Sequence, residues 1–390
     1  MNRYELVCTV CGSVQTAEPA YLCRACGGSL DLRYDYERIF AETSFEAMAA
    51  RRGNGIWKYR ELLPVLPGTA PVSLGEGDTP LLHAERIRET DGAPALFLKT
   101  ESVNPTLAFK DRPLAVALTA AKQFGIAETV CASTGNTGVA AAAYSARAGV
   151  RCTVYVPAAT PSEKLAAMEQ YGAHLVKVDG TFSDAYETAG RAAAERGAFN
   201  LTSTYLNPYA AEGDKTVAYE LVEQLGHAPD WVVVPIGAGP LLAGCYKGFQ
   251  EMKLAGRIDK LPKMAGVQAA GCAPIVEAFV AGEPTVKPWG RKPDTRASGI
   301  ADPLTSYPAD GTRTLSVIRE SGGTAIAVPD EELFRYRRLL AEKEGVLAEL
   351  SSVTAVVAAE RLCRGGQAAS GDTIIAIVTG HGFKDMTAAI

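Results

Sequence analysis

Four cysteines near the start of the chain fall into two pairs, Cys8-x2-Cys11 and Cys23-x2-Cys26, with Gly12 and Gly27 just behind them. Each pair can turn two thiolates onto one ion, and four soft sulfurs in a tetrahedron suit Zn(II). A closed four-sulfur site has no open position for substrate, so its role would be structural; two redox or structural cysteine pairs are the plainer alternative. Farther on, Lys110 lies in Asn104-Pro105-Thr106-Leu107-Ala108-Phe109-Lys110-Asp111-Arg112, where a loop meets an alanine- and leucine-rich helical stretch. A lone lysine there is ordinarily a solvated surface residue. Its amine can nevertheless condense with an aldehyde once partial burial or a nearby cation lowers its proton affinity.

Three glycine-bearing turns add binding chemistry. Ser133-Thr134-Gly135-Asn136-Thr137-Gly138 opens the helix-favouring run Val139–Tyr144. Its hydroxyls and amides can hold a carboxylate, or form an ordinary Ser/Thr helix cap. The apolar run from Val232 ends in Gly237-Ala238-Gly239-Pro240-Leu241 at a helix start, a place where backbone amides bind phosphate. Dinucleotide binding is the competing reading, but the spacing is not Gly-x-Gly-x-x-Gly and no acidic ribose partner is clearly placed after it. Near the end, Thr373–Val378 runs into Thr379-Gly380-His381-Gly382, where the histidine is either an acid–base group or a turn filler.

These residues need a scaffold. Short apolar runs at Ala95–Lys99, Thr129–Ala132, Thr153–Val156, His174–Val178, Trp231–Pro235 and Thr373–Val378 alternate with longer alanine-rich stretches. Strands spaced by helices predict an α/β protein with largely parallel sheets covered on both faces. Residues 30 to 70 mix charge, aromatics and Pro64, Pro67 and Gly68, and read as a linker packed on the surface. With 390 residues, 47% apolar and 21% charged, the chain can bury one large core or two moderate ones. A net charge of -5 without a basic run argues against a nucleic-acid partner. No stretch reaches ~18 apolar residues, so no membrane span is expected. The N-terminus MNRYELVCTV has no secretory pattern, which points to the cytoplasm and to free or metal-bound thiols.

Lys99-Thr100-Glu101 followed by Asn-Pro-Thr-x-x-Phe-Lys-Asp-Arg resembles the fold type II pyridoxal-phosphate enzymes, the threonine synthase family most of all. Gly75–Leu81, Asn207-Pro208 with Glu212–Thr216, Gly266–Gln268 and Glu344–Val346 match as well, so the likeness spans nearly the whole chain. It implies a tryptophan synthase β-like fold of two open parallel-sheet lobes, pyridoxal 5'-phosphate as cofactor, and a homodimer acting on a small amino acid. The N-terminus resembles a zinc ribbon with structural Zn(II) on Cys8, Cys11, Cys23 and Cys26. The expected division is a ribbon-like segment over 1–35 and a catalytic region over 36–390, whose small lobe covers about 110–210 and large lobe the remainder. By resemblance, Lys110 forms the Schiff base and serves as the base at Cα. Asn136 contacts the ring oxygen, Gly237, Ala238, Gly239 and Leu241 grip the phosphate, and Thr379 faces the pyridine nitrogen. Ser133, Thr134 and Thr137 cradle the substrate carboxylate.

The likeness breaks where such enzymes hold a substrate phosphate. Ala210 stands where an arginine usually follows Asn-Pro, Gly-Ala-Gly-Pro-Leu replaces Gly-Asn-x-Gly-Asn, and Ala297–Pro303 lacks the arginine of Ala-Ile-Arg-Ile-Gly-Asn-Pro. Losing one charged hydrogen bond costs about 1.5–3 kcal/mol. Two outcomes therefore stand: threonine formation from O-phosphohomoserine, or an ammonia-lyase of the threonine/serine dehydratase or diaminopropionate type, with a β-replacement synthase beside it. A zinc-bearing, non-catalytic regulatory protein on the same fold is the rival of another class, and the presence of Lys110 and Asn136 speaks against it.

Overall fold

The structure is a computed structural model describing residues 4–87 and 94–386. The chain divides into two compact units, one running to Asp78 and adding Lys110–Thr216, the other comprising Thr79–Phe109 and Val217 onward.

In the first unit, four parallel strands stand in the order His174–Val178, Arg151–Pro157, Glu128–Ala132, Phe199–Asn200. The two central strands are almost wholly buried, as expected for a parallel sheet covered by helices. Val130, Ala132 and Tyr155 pack against Ala185, Ala189, Ala192 and Ala193 of the helix Phe182–Arg196. Small residues on that helix let it lie close to the sheet. The helix Asp111–Gln123, which Lys110 precedes, packs on Pro208–Asp214. Contact is tightest at Gly213, where a Cβ would stand 2.3 Å from the carbonyl oxygen of Arg112.

The same unit carries a small antiparallel sheet in the order Val14–Gln15, Tyr4–Cys8, Leu30–Tyr34. The segment after it is not a surface linker. It folds as helices Tyr36–Glu42 and Phe45–Ala49 and the 3-10 stretch Gly55–Leu62. Ile39, Met48, Ile56, Tyr59 and Leu62 are fully buried there. The breakers that suggested a linker fall after these elements, while the apolar residues between the charges make the core contacts.

In the second unit, six strands follow the order Thr324–Val328, Lys263–Ala269, Trp231–Pro235, Thr373–Ile377, Ala95–Lys99, Leu81–His83; all pair in parallel except the last. Against it lies the helix Leu350–Arg364, apolar or small over most of its surface and buried from Leu350 to Glu360. A helix of that composition belongs inside. Each fully buried valine or leucine it contributes is worth about 1.5–3 kcal/mol.

Candidate active site

Lys110 sits at the boundary before its helix and is partly buried. Its Nζ donates a hydrogen bond to the Ser203 hydroxyl. Beside it, burial pushes the Cys131 thiol upward while the positive charge of Lys110 opposes the shift. Ser203 lies in the loop after Phe199–Asn200, 93 residues away in sequence, and no local pattern marks it.

The second turn of the same unit opens the helix Asn136–Ala148. Ser133 Oγ accepts from the amides of Gly135 at 3.2 Å and Gly138 at 2.9 Å. The predicted carboxylate binder therefore already accepts from two amides at the start of the helix, whose N-cap is Gly135, with its O–H still able to point elsewhere. Thr137 is buried, whereas Thr134 and Asn136 are partly exposed. The helix is anchored lower down by Tyr144, whose hydroxyl donates to Glu76 Oε2 at 2.8 Å. Glu76 is fully buried and also accepts from Trp57 Nε1 at 2.6 Å and the Leu74 amide at 2.9 Å. Burial, with Asp111 and Glu76 nearby, pushes the Tyr144 hydroxyl strongly upward, so it remains a donor.

In the second unit, the buried strand Trp231–Pro235 leads into Gly237-Ala238-Gly239 and the helix Pro240–Leu254. Gly239 has φ +97°, and a Cβ there would meet the Thr314 side chain at 2.4 Å. Thr314 Oγ1 in turn donates to the Ala238 carbonyl at 2.5 Å. Gln268 steadies the turn from the other side: its Nε2 donates to Gly237 O at 3.4 Å, and its Oε1 accepts from the Ile275 amide at 2.9 Å. Asp302 flanks the turn, its Cβ 3.2 Å from where one on Gly237 would stand. Its carboxylate accepts from the Leu304 amide at 3.0 Å and the Tyr307 hydroxyl at 3.2 Å.

Thr379, also in the second unit, is buried and shares a 2.8 Å hydrogen bond with the Ser352 hydroxyl. Ser352 further accepts from the Gly380 amide at 2.8 Å. It was not foreseen from sequence, being one small residue within a buried helix. His381 fills the turn: its Nδ1 accepts from the Phe383 amide at 3.2 Å.

The four cysteine sulfurs of the first unit all lie within 4.8 Å of one another. Gly12 and Gly27, both at φ +73°, let the amides turn back, so that the Val10, Cys11, Ala25 and Gly28 N–H groups point at sulfur at 3.3–3.4 Å. The Ser13 hydroxyl, 3.0 Å from Cys23 Sγ, leads the effects that hold that thiol down to about 6. Amide-to-sulfur contacts around four converging thiols fit a metal of soft-ligand preference.

The first unit thus holds a lysine before a helix and a hydroxyl-bearing turn at a second helix start, and the second unit holds a glycine turn at a helix start of its own. Residues 72–380 match the family described as pyridoxal-phosphate dependent enzyme, and the chain belongs to that class. It is 40% identical over 385 residues to the threonine synthase of Methanocaldococcus jannaschii, spanning 98% of this chain and 93% of that protein. Identity to the Methanosarcina acetivorans threonine synthase is 38% over 385 residues, 98% of this chain and 92% of that one. Within the class, the chain belongs to the threonine synthase family. The fold is also that of maize serine racemase, with a TM-score of 0.66 at 24% identity, covering 78% of this chain and 88% of the other. The chemistry of these residues does not conflict with such a cofactor: Lys110 would offer an amine, and Gly239 leaves its turn free of a side chain.

Proposed function

We propose that this chain is a pyridoxal-phosphate lyase of the threonine synthase type, eliminating or replacing at Cβ or Cγ of a small amino acid such as O-phosphohomoserine to give threonine. The observation that carries the reading is the likeness to threonine synthases along 98% of the chain. Bound cofactor would supply an electron sink conjugated to the substrate Cα. Lys110 would hold it through its amine and would serve as the base at the substrate Cα. Asn136 would contact the ring oxygen. Gly237, Ala238, Gly239 and Leu241 would hold the phosphate, where a helix start favours an anion. Ser133, Thr134 and Thr137 orient the substrate carboxylate. Thr379, with Ser352 behind it, would offer a ring nitrogen a neutral hydroxyl partner, a chemistry suited to elimination or replacement rather than transamination.

A second reading, an amino-acid ammonia-lyase, is favoured by one observation: buried Ala210 occupies the place of the arginine that such synthases turn to a substrate phosphate. The two are separated by assaying the cofactor-loaded protein on O-phosphohomoserine, threonine, serine and diaminopropionate, following phosphate, keto acid and ammonia separately. Phosphate with threonine supports the synthase; ammonia and keto acid without phosphate support the lyase. Lys110→Ala should remove the visible absorption of lysine-attached cofactor while leaving the fold, and retention of that band would overturn the assignment.

The remaining assignments rest on chemistry and resemblance. Cys8, Cys11, Cys23 and Cys26 would hold structural Zn(II) in the ribbon-like segment 1–35, with catalysis left to 36–390. All nine cysteines are thiols, which suits a reducing compartment such as the cytoplasm. A homodimer is the family's habit. Among the described residues, no helix is long and apolar enough to cross a membrane.

A further inference from the structure

We infer that Ser203 is the positioning residue for Lys110, holding the lysine's side chain while its amine is detached from cofactor and carries the proton. The inference rests on Lys110 being the cofactor lysine. Thr202, Ser203 and Thr204 form a run of three hydroxyls, and two of them have structural employment. Thr202 Oγ1 is buried and accepts from the Ala132 amide at 3.0 Å. Thr204 Oγ1 is buried and accepts from the Leu206 amide at 3.1 Å. Ser203, half-buried between them, instead accepts from Lys110 Nζ.

The loop is held by contacts that do not involve the lysine. The Leu201 amide donates to Val130 O at 2.8 Å, and the Thr202 amide to Asn200 Oδ1 at 2.9 Å. Asn207 Nδ2 closes the far end on Asn200 O at 2.8 Å. Asn200 itself donates its amide to the Tyr21 hydroxyl at 2.6 Å. A hydroxyl held this way accepts from an ammonium without reorganising, and a hydrogen bond to the charged form favours that form. Ser203 thus keeps the proton on the detached lysine and keeps the amine aimed.

The test uses apoenzyme and added pyridoxal phosphate, following the pH dependence of capture by its absorbance change. Ser203→Ala should move the midpoint down by about one pH unit, the loss of one charged hydrogen bond. Ser203→Thr, which restores an oxygen, should leave the midpoint near that of the parent. Thr204→Val perturbs the same loop without touching Lys110 and should not move it. An unchanged midpoint in Ser203→Ala, or an equal shift in Thr204→Val, overturns the role of Ser203. If Ser203→Ala fails to fold, Ser203→Cys is read the same way, since a weakly accepting sulfur should also lower the midpoint. Capture at a normal rate by Lys110→Ala would instead sink the reading of Lys110 and leave the Ser203 contact without a function.

Discussion

The backbone amide of Phe109 donates to the carbonyl of Thr379 at 2.9 Å, and so ties the chain one residue before the proposed cofactor lysine to the proposed partner of the ring nitrogen. Ala108 and Gly380 form the bridge beside it, and the His381 amide returns to Leu107 O at 3.0 Å. Leu107 is bent to φ +62° to make this possible. Such a conformation costs an ordinary residue about 1–3 kcal/mol and persists only where its surroundings enforce it. Valine tolerates it still less, because its branched Cβ crowds the backbone. Leu107→Val should therefore lower the unfolding free energy by about 1–2 kcal/mol in a urea titration and weaken cofactor retention together with it. A stable variant with normal retention would mean that the bridge does not depend on this bend.

Lys99 and Glu220 are both fully buried, with Lys99 Nζ 2.6 Å from Glu220 Oε2, 2.8 Å from Thr79 O and 3.0 Å from Gln224 Oε1. Alongside, Glu101 accepts from the Thr79 hydroxyl at 2.7 Å and from Asn104 Nδ2 at 2.8 Å, which fixes the turn leading toward the lysine. Removing one partner strands a buried charge. Lys99→Met should cost about 3–5 kcal/mol by denaturant unfolding. Adding Glu220→Leu should recover most of the loss, and a double variant as unstable as the single would show that the pair itself is not the source.

Much of this scaffold is legible in sequence. Trp231–Pro235 and His174–Val178 appear as apolar runs with the bounds they have in the fold. Lys263–Ala269 and Thr324–Val328 are not among those runs, although both strands pair in register; Gly266 and Gln268 break up the first, while the second is as apolar as the runs named above. The segment from 30 to 70 misleads for the opposite reason, its charges outnumbering the few residues that carry its core. Of the candidate residues, the turns around Ser133 and Gly237 stand out as glycines and hydroxyls beside apolar runs, whereas Lys110 stands out only through the family resemblance of the segment around it. Ser203 and Ser352 could not, since each becomes visible only when the fold sets it against a distant side chain.

Asp302 introduces a charge that the glycine turn would do better without. Two negative charges about 6–8 Å apart at an effective dielectric of about 20–40 repel by about 1–3 kcal/mol. If Gly237–Gly239 bind a phosphate, Asp302→Asn should tighten pyridoxal phosphate about tenfold in an equilibrium titration. The amide keeps an acceptor for Tyr307 and the Leu304 amide, so stability should change little. Weaker binding in the variant would place the phosphate elsewhere.

Metal removal should reach beyond the cysteines. Between the two pairs, Tyr21 accepts from the Asn200 amide and lies tilted against Phe199, while the Glu18 carbonyl accepts from the Tyr209 hydroxyl at 2.7 Å. The connector is thus fastened to the strand and helix on either side of the Ser203 loop. If the four cysteines hold one ion, Cys23→Ser should empty the site by elemental analysis and lower the unfolding midpoint, because closing both pairs on that ion would fix the connector. Tyr21→Phe, which leaves the sulfurs alone, should retain metal yet cost about 1–3 kcal/mol through the unsatisfied Asn200 amide. Capture of cofactor by Lys110 should survive both changes, slowed in proportion to the loosening of the loop. Unchanged stability in Cys23→Ser with its metal gone would make the cluster an appendage with no hold on the unit.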